Sequence, residues 1–278
     1  MNYRNLQNNN LTDVSTYNTR MRRAFLDKVF FLDKIPGATC IADFGCADGA
    51  IIEFAHTVCP DLGFLGYDKS PEMVKLAINN CPFAAFTETL DEFEKAVKFK
   101  KTHGSSICLS LLSIIHEVYH YGPSSVNDFW KFVFKEDLFD YIAIRDMMVS
   151  RSTSRPSDPI SVAKIKLSYD KERVSQWESR WGSLHENWSL VHFLLTYQYV
   201  NSWERECYEN YLPLSLEDFL NIIPEGWEPF YIDHYTLPYL RQCVQNDFRI
   251  DLQDRTHLKL ILKRVPSTNI SKEPRNAH

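Results

Sequence analysis

The chain has 278 residues, enough for one large domain or for a domain of common size carrying an insertion. With 44% hydrophobic and 24% charged residues it has the composition of a globular protein, which excludes a fibrous or wholly disordered chain. A formal net charge of -5 excludes the global basic footprint of a nucleic-acid binder, while a local basic surface stays open.

In chain order, residues 1–12 are Asn-rich and polar and read as a disordered N-terminus that lacks the apolar core of a signal peptide. From Asp13 to Ile35 the apolar positions Met21, Ala24, Phe25, Val29, Leu32 and Ile35 recur at helical spacing, and Pro36-Gly37 ends that helix. Strands and helices then alternate. Strands are predicted at Cys40–Phe44, Gly63–Tyr67, Phe83–Phe86, Ser106–Leu111 and Tyr141–Ile144. Helices are predicted at about Ala50–Val58, Pro71–Asn80, Leu90–Phe99 and Asn127–Phe134. Such alternation predicts a parallel sheet with helices on both faces.

The pattern changes after residue 146. Residues 147–171 are polar and read as a loop, and 171–211 read as helical and very aromatic. Ser215–Ile223 is a capped helix, with Glu217 and Asp218 in its first turn. Two last strands, Pro229–Tyr235 and His257–Lys263, flank a helical segment, and 265–278 form a flexible tail. The seven cysteines, at 40, 46, 59, 81, 108, 207 and 243, form no C-x-x-C pair and are odd in number, which fits buried thiols in a reducing compartment. No apolar stretch is long enough to cross a bilayer, so a cytoplasmic protein without a membrane partner is expected. Nothing in the chain fixes an oligomeric state.

The stretch Ile41-Ala-Asp43-Phe-Gly45-Cys-Ala47-Asp-Gly49 ends a strand and opens a helix. Its glycines let the backbone turn sharply beside a ligand, and the helix behind offers free N–H groups. Asp68 follows in Gly66-Tyr67-Asp68, 19 residues past Gly49, where its carboxylate can accept both hydroxyls of a ribose. The spacing G-x-A-x-G is not the G-x-G-x-x-G that fits a pyrophosphate. Asp43, two residues before the first glycine, would repel phosphates and suits a cationic ligand.

At these residues the chain resembles the class I, Rossmann-like methyltransferases: DFGCADG is similar to their first motif and LGYDKS to the acidic end of their second strand. The resemblance covers roughly 40–146 and 215–264. It implies an α/β fold, a seven-stranded, mostly parallel sheet with an antiparallel last strand, and S-adenosylmethionine as cofactor. It further implies that Gly45, Ala47 and Gly49, with Asp43 and Cys46 of the same motif, line the cofactor. Asp68, next to Lys69, would hold the ribose; Thr87 and Glu88 would flank adenine; and Ser110, Leu111 and Leu112 would close the pocket.

The core is thereby expected at 13–146 and 215–264, with 147–214 a helical insertion serving as a substrate lid. Of its aromatic residues Trp177, Trp181, Trp188, His192 and Tyr199 would enclose substrate. His116, Glu117, Arg145 and Asp146 fall at the carboxyl ends of strands four and five and are the candidates for chemistry, with His116 accepting the departing proton. His116-Glu117-Val-Tyr-His120 also matches the zinc-protease pattern H-E-x-x-H, but Gly122-Pro123 follows at once and no metal is expected. The function these features favour is methyl transfer to an oxygen or nitrogen of a small molecule. A nucleic-acid methyltransferase using the basic 151–180 segment is the alternative. A cofactor-binding protein without methyl transfer and a zinc hydrolase are minor ones.

Overall fold

A computed structural model describes residues 24–265. The expected disordered 1–12, the start of the helix read from Asp13, and all of the flexible tail but Val265 lie outside the described residues. Within them a short helix α1 (Phe25–Lys28) leads to β1 (Cys40–Phe44), α2 (Ala50–Val58), β2 (Gly63–Tyr67), α3 (Pro71–Asn80), β3 (Ala85–Thr87), α4 (Leu90–Thr102) and β4 (Ile107–Leu112). Next come α5 (Ile115–Tyr121), α6 (Val126–Val133) and β5 (Tyr141–Met147), then α7 (Pro159–Ser168), α8 (Lys171–Trp181), α9 (Asn187–Thr196), α10 (Trp203–Glu206) and α11 (Leu216–Ile222). The chain ends on β6 (Trp227–Tyr235), α12 (Pro238–Phe248) and β7 (His257–Arg264).

The seven strands form one sheet in the order β3-β2-β1-β4-β5-β7-β6. β1 to β5 run parallel, and β7 is antiparallel to both of its neighbours. This is the Rossmann-like methyltransferase sheet that the resemblance implied. The chain reverses its direction of travel across the sheet between β1 and β4, and the crevice outside their carboxyl ends is where such sheets bind ligands.

Strands buried on both faces explain the apolar runs: every residue of β4 is buried. One face carries a core in which Phe93 and Val97 of α4 meet Phe129, Phe132 and Val133 of α6 and Phe219 of α11. The other carries Phe31, Ile35 and, from α2, Ile52 and Ala55.

Two expectations are corrected. The helix read through to Ile35 stops at Lys28, and tight turns close the stretch after it, Leu32 N–H bonding to Val29 O and Lys34 N–H to Phe31 O. Its apolar spacing survives because Phe31 and Ile35 still reach the sheet. The loop read over 147–171 contains α7, whose start is set by Asp158, accepting from the N–H groups of Ile160 and Ser161, with Pro159 in the first turn.

A third core belongs to the helices after β5. Val162 and Ile165 of α7, Val174 and Trp177 of α8 and Leu190–Leu195 of α9 pack with Leu240, Val244 and Phe248 of α12. α12 lies against α7 and so packs on the helices that follow β5. Trp177 is fully buried at the centre of this unit, its indole N–H donating to Ser189. Trp177→Ala is therefore expected to lower unfolding free energy by about 3–5 kcal/mol, as read from urea unfolding monitored by circular dichroism.

Candidate active site

The loop after β1 is built on unusual backbone. Gly45 and Gly49 have φ of +79° and +78°, and Ala47, the residue standing where the motif often has a third glycine, has φ of +47°. Glycine adopts such angles freely, whereas for Ala47 the conformation costs on the order of 1–3 kcal/mol and must be held by its surroundings. Asp68 supplies the hold. One carboxylate oxygen accepts from Ala47 N–H at 2.9 Å and the other from Ser70 N–H at 2.9 Å, tying the loop to the tip of β2. A side chain on Gly45 would lie 2.7 Å from Ile114 Cδ1, so the loop also touches the segment that follows β4.

Around this loop the expected cofactor residues take different positions. Asp43 is buried and accepts from Ser110 Oγ at 2.6 Å. Burial pushes its carboxyl up to about 6, against the pull of Ser110 and of Lys28. The buried ammonium of Lys28 is itself pushed down to about 8 by burial and by Arg145, opposed by Asp43, Asp146 and Glu117. Thr87 ends β3 with its hydroxyl oxygen buried and without a hydrogen-bond partner among the described residues. Glu88 and Lys69 are exposed, Lys69 reaching over the Tyr121 ring. Three residues point away from the crevice: Cys46 and Leu112 belong to one sheet-face core and Leu111 to the other. Only their backbone is left to border a ligand.

The expected chemistry divides in two. Arg145 and Asp146 are neighbours in β5, so their side chains leave opposite faces. They do not pair with each other. Arg145 is buried and binds Asp27 of α1 at 2.7 Å and Ser113 at 3.1 Å. Asp27 also takes Lys259 and Tyr235, each at 2.6 Å, so Arg145 serves to anchor α1 across the end of the sheet. Asp146 faces the other way. It accepts from Ile115 N–H at 2.7 Å and holds His116 Nδ1 at 2.7 Å.

That bond turns His116 Nε2 toward Glu209, 3.6 Å from its Oε1. Glu209 comes from the segment after α10 and was not among the expected site residues. Arg205, Glu206 and Tyr211 arrive with it: Arg205 lies 3.6 Å from Glu209, the Tyr211 hydroxyl bonds Glu206, and the Tyr211 ring meets His116 edge-on at 5.3 Å. Burial lowers the His116 pKa, but Asp146, Glu117 and Glu209 outweigh it and lift it to about 9. Burial raises the Glu209 carboxyl to about 7. The acids around the His116 ring therefore favour its charged form, against the pull of burial. Its H-E-x-x-H partner is set aside: the cluster around His116 takes Glu117 and Glu209, while the His120 ring packs on Tyr121.

The aromatic residues expected to enclose substrate stand behind this cluster. Trp177 and His192 are fully buried in the helical unit and are corrected from substrate contacts to scaffold. His192 Nε2 accepts from Tyr211 N–H at 3.1 Å, and the Trp181 indole donates to Cys207 O at 2.7 Å. Both therefore hold the segment that delivers Arg205, Glu209 and Tyr211. Trp188 and Tyr199 are half-buried, Trp188 against His192 and Tyr199 against Tyr211.

All seven cysteines are unpaired, and no helix of the described residues is long and apolar enough to cross a membrane.

No family model and no curated protein matches the sequence. Among solved structures, the plantazolicin methyltransferase BamL, in complex with a triazolic desmethylPZN analog and SAH, is 11% identical, covering 87% of this chain and 84% of its own, with a TM-score of 0.43. A SAM-dependent methyltransferase from Anabaena variabilis ATCC 29413 is 12% identical over 88% and 85%, with a TM-score of 0.47. The methyltransferase domain of bacterial CtHen1-C is 10% identical over 86% and 96%, also at 0.47.

The glycine loop can be tested alone. Gly45→Ala adds a methyl group at positive φ against Ile114 and is expected to lower stability by about 1–2 kcal/mol, measured as the shift in urea midpoint at constant slope.

Proposed function

We propose that this chain is an S-adenosylmethionine-dependent methyltransferase acting on an oxygen or nitrogen atom of a small molecule. The observation that carries the reading is the pairing of a strained glycine loop with two acids, Asp43 beneath it and Asp68 bonded into it. A pyrophosphate would be repelled there, whereas a cation relieves the cost of burying Asp43. The orphaned Thr87 hydroxyl at the end of β3 gives a polar adenine edge something to bond.

Asp43 and the backbone of 45–49 would hold the cofactor's methionine and ribose side, Asp68 the ribose hydroxyls, and Thr87 the adenine edge. When bound, the cofactor supplies an electrophilic methyl group on a sulfonium. The chain's own contribution is to bring an acceptor to that methyl with water excluded. Asp146 fixes the His116 ring, and Glu117 and Glu209 offer carboxylates beside it, so a polar acceptor atom is held at the carboxyl ends of β4 and β5.

Small molecules are favoured over nucleic acid by the fate of the basic 151–180 segment. Arg155 forms a two-pronged pair with Asp254, Arg151 binds Asp218, Lys166 binds Glu178, and Lys164 bonds Arg249 O. Surface cations already paired with the chain's own groups have less charge to release counterions from a phosphate backbone.

Calorimetry is expected to detect S-adenosylhomocysteine binding and no NADH binding; the opposite result overturns the proposal. Asp68→Ala is expected to weaken S-adenosylhomocysteine by about 1.5–3 kcal/mol, the scale of hydrogen bonds to a charged group. Trp181→Ala, which frees the Cys207 carbonyl, is expected to impair transfer of labelled methyl to metabolite fractions of a cell extract. Its S-adenosylhomocysteine affinity should stay within about threefold, under about 1 kcal/mol. Equal loss of both would make Trp181 part of the cofactor site.

A further inference from the structure

We propose that His116 Nε2 and the carboxylates of Glu117 and Glu209 form a binding site for a divalent first-row metal ion such as Mn2+ or Zn2+. One ligand atom from each lies within 4.8 Å of the other two. Tetrahedral donors at bonds of about 2 Å stand about 3.3 Å apart, so the three side chains must close by about 1–1.5 Å to hold an ion. An imidazole with two carboxylates is a mixed donor set that suits these ions better than Ca2+, which takes oxygen alone.

Glu209 carries the argument. Its side chain is 2% exposed, and neither carboxylate oxygen accepts a hydrogen bond. His116 and Arg205 each stand 3.6 Å away, outside hydrogen-bond distance. A buried carboxylate so placed costs several kcal/mol unless a charge compensates it. His116 and Arg205 pair with it only at 3.6 Å, and they are shared with Glu117, Asp146 and Glu206, so the acids outnumber the cations that face them. The ring is also set as metal ligands are. Asp146 takes Nδ1, fixes the orientation and directs Nε2 at the carboxylates, the outer-shell arrangement that metal-bound histidines share. Glu117 is half-buried and keeps an approach to the site open.

A cation here would bind an acceptor oxygen and make its proton easier to lose. That role rests on the methyltransferase reading; the binding does not.

The test is a titration of the metal-stripped full chain with MnCl2, reading free Mn2+ by electron paramagnetic resonance, with S-adenosylhomocysteine binding measured separately without metal. Binding of a single Mn2+ per chain, displaced by Zn2+, is expected. Glu209→Gln and Glu117→Gln should each weaken it at least about tenfold while a cooperative melt and S-adenosylhomocysteine binding persist. Should Glu209→Gln not fold, the more exposed Glu117→Gln decides. An unchanged free-Mn2+ signal with wild-type protein, or wild-type affinity in the folded variants, overturns the site and leaves an ion-pair cluster in its place. S-adenosylhomocysteine binding without Mn2+ binding removes the metal and keeps the methyltransferase reading; Mn2+ binding without S-adenosylhomocysteine binding does the reverse.

Discussion

A carboxylate in a protein interior stays charged only when enough donors surround it, and Asp146 meets that condition at the end of β5. Ile115 N–H, His116 Nδ1 and Met147 N–H all donate to it, at 2.7, 2.7 and 2.8 Å. Burial would push its carboxyl up, but His116 and the backbone donors hold it below the usual range. Because two of those donors, Ile115 and His116, come from the first turn of α5, the charge fixes how the chain leaves β4. The register of α5, the aim of the His116 ring and the place where the segment carrying Glu209 can meet the sheet follow from it.

The stretch from α10 onward answers that constraint with charge of its own. Arg205, Glu206 and Glu209 sit in a segment that also carries the buried Trp203, Cys207 and Tyr211. Acids in such a run would be unstable in isolation. They are tolerated because Glu209 faces His116, because Glu206 takes the Tyr211 hydroxyl, and because the helical unit behind them is braced: Trp203 Nε1–H donates to Gln176 at 2.8 Å and Tyr169 O–H to Tyr197 O at 2.6 Å. The tryptophans stabilise a platform, and the platform presents the polar groups. α12, closing this platform from between β6 and β7, makes the unit discontinuous in sequence while contiguous in space.

Strain and electrostatics meet at the same edge of the sheet. Ser113, with φ of +62°, and Ala47, with φ of +47°, sit in the loops after β4 and β1, and each is held by a bond to the rest of the edge, Ser113 N–H to Arg145 O and Ala47 N–H to Asp68. Strain of this kind persists where surrounding contacts over-determine it, and such places cluster at functional sites. Arg145, Asp27, Lys259 and Tyr235 form a second network that seats α1 on the sheet next to Lys28 and Asp43.

What the sequence determined by itself was local. Apolar runs bounded by turns marked all seven strands, with ends off by a few residues at β3, β5 and β6; in the central strands β1, β4 and β5 burial on both faces writes itself into consecutive residues. The glycine loop and Asp68 were legible for the same reason: a sharp turn and an acid at a strand tip are properties of a few adjacent positions. Glu209 was not legible, since its partner His116 lies in a distant element. The only hint was a set of acids inside a run of aromatic residues. Likewise, nothing local separates a tryptophan that lines a cavity from one that fills a core, as Trp177 does, nor tells that Arg145 and Asp146 turn to different partners. Those outcomes depend on which elements share a face after folding, and burial and charge pairing across elements are decided there alone.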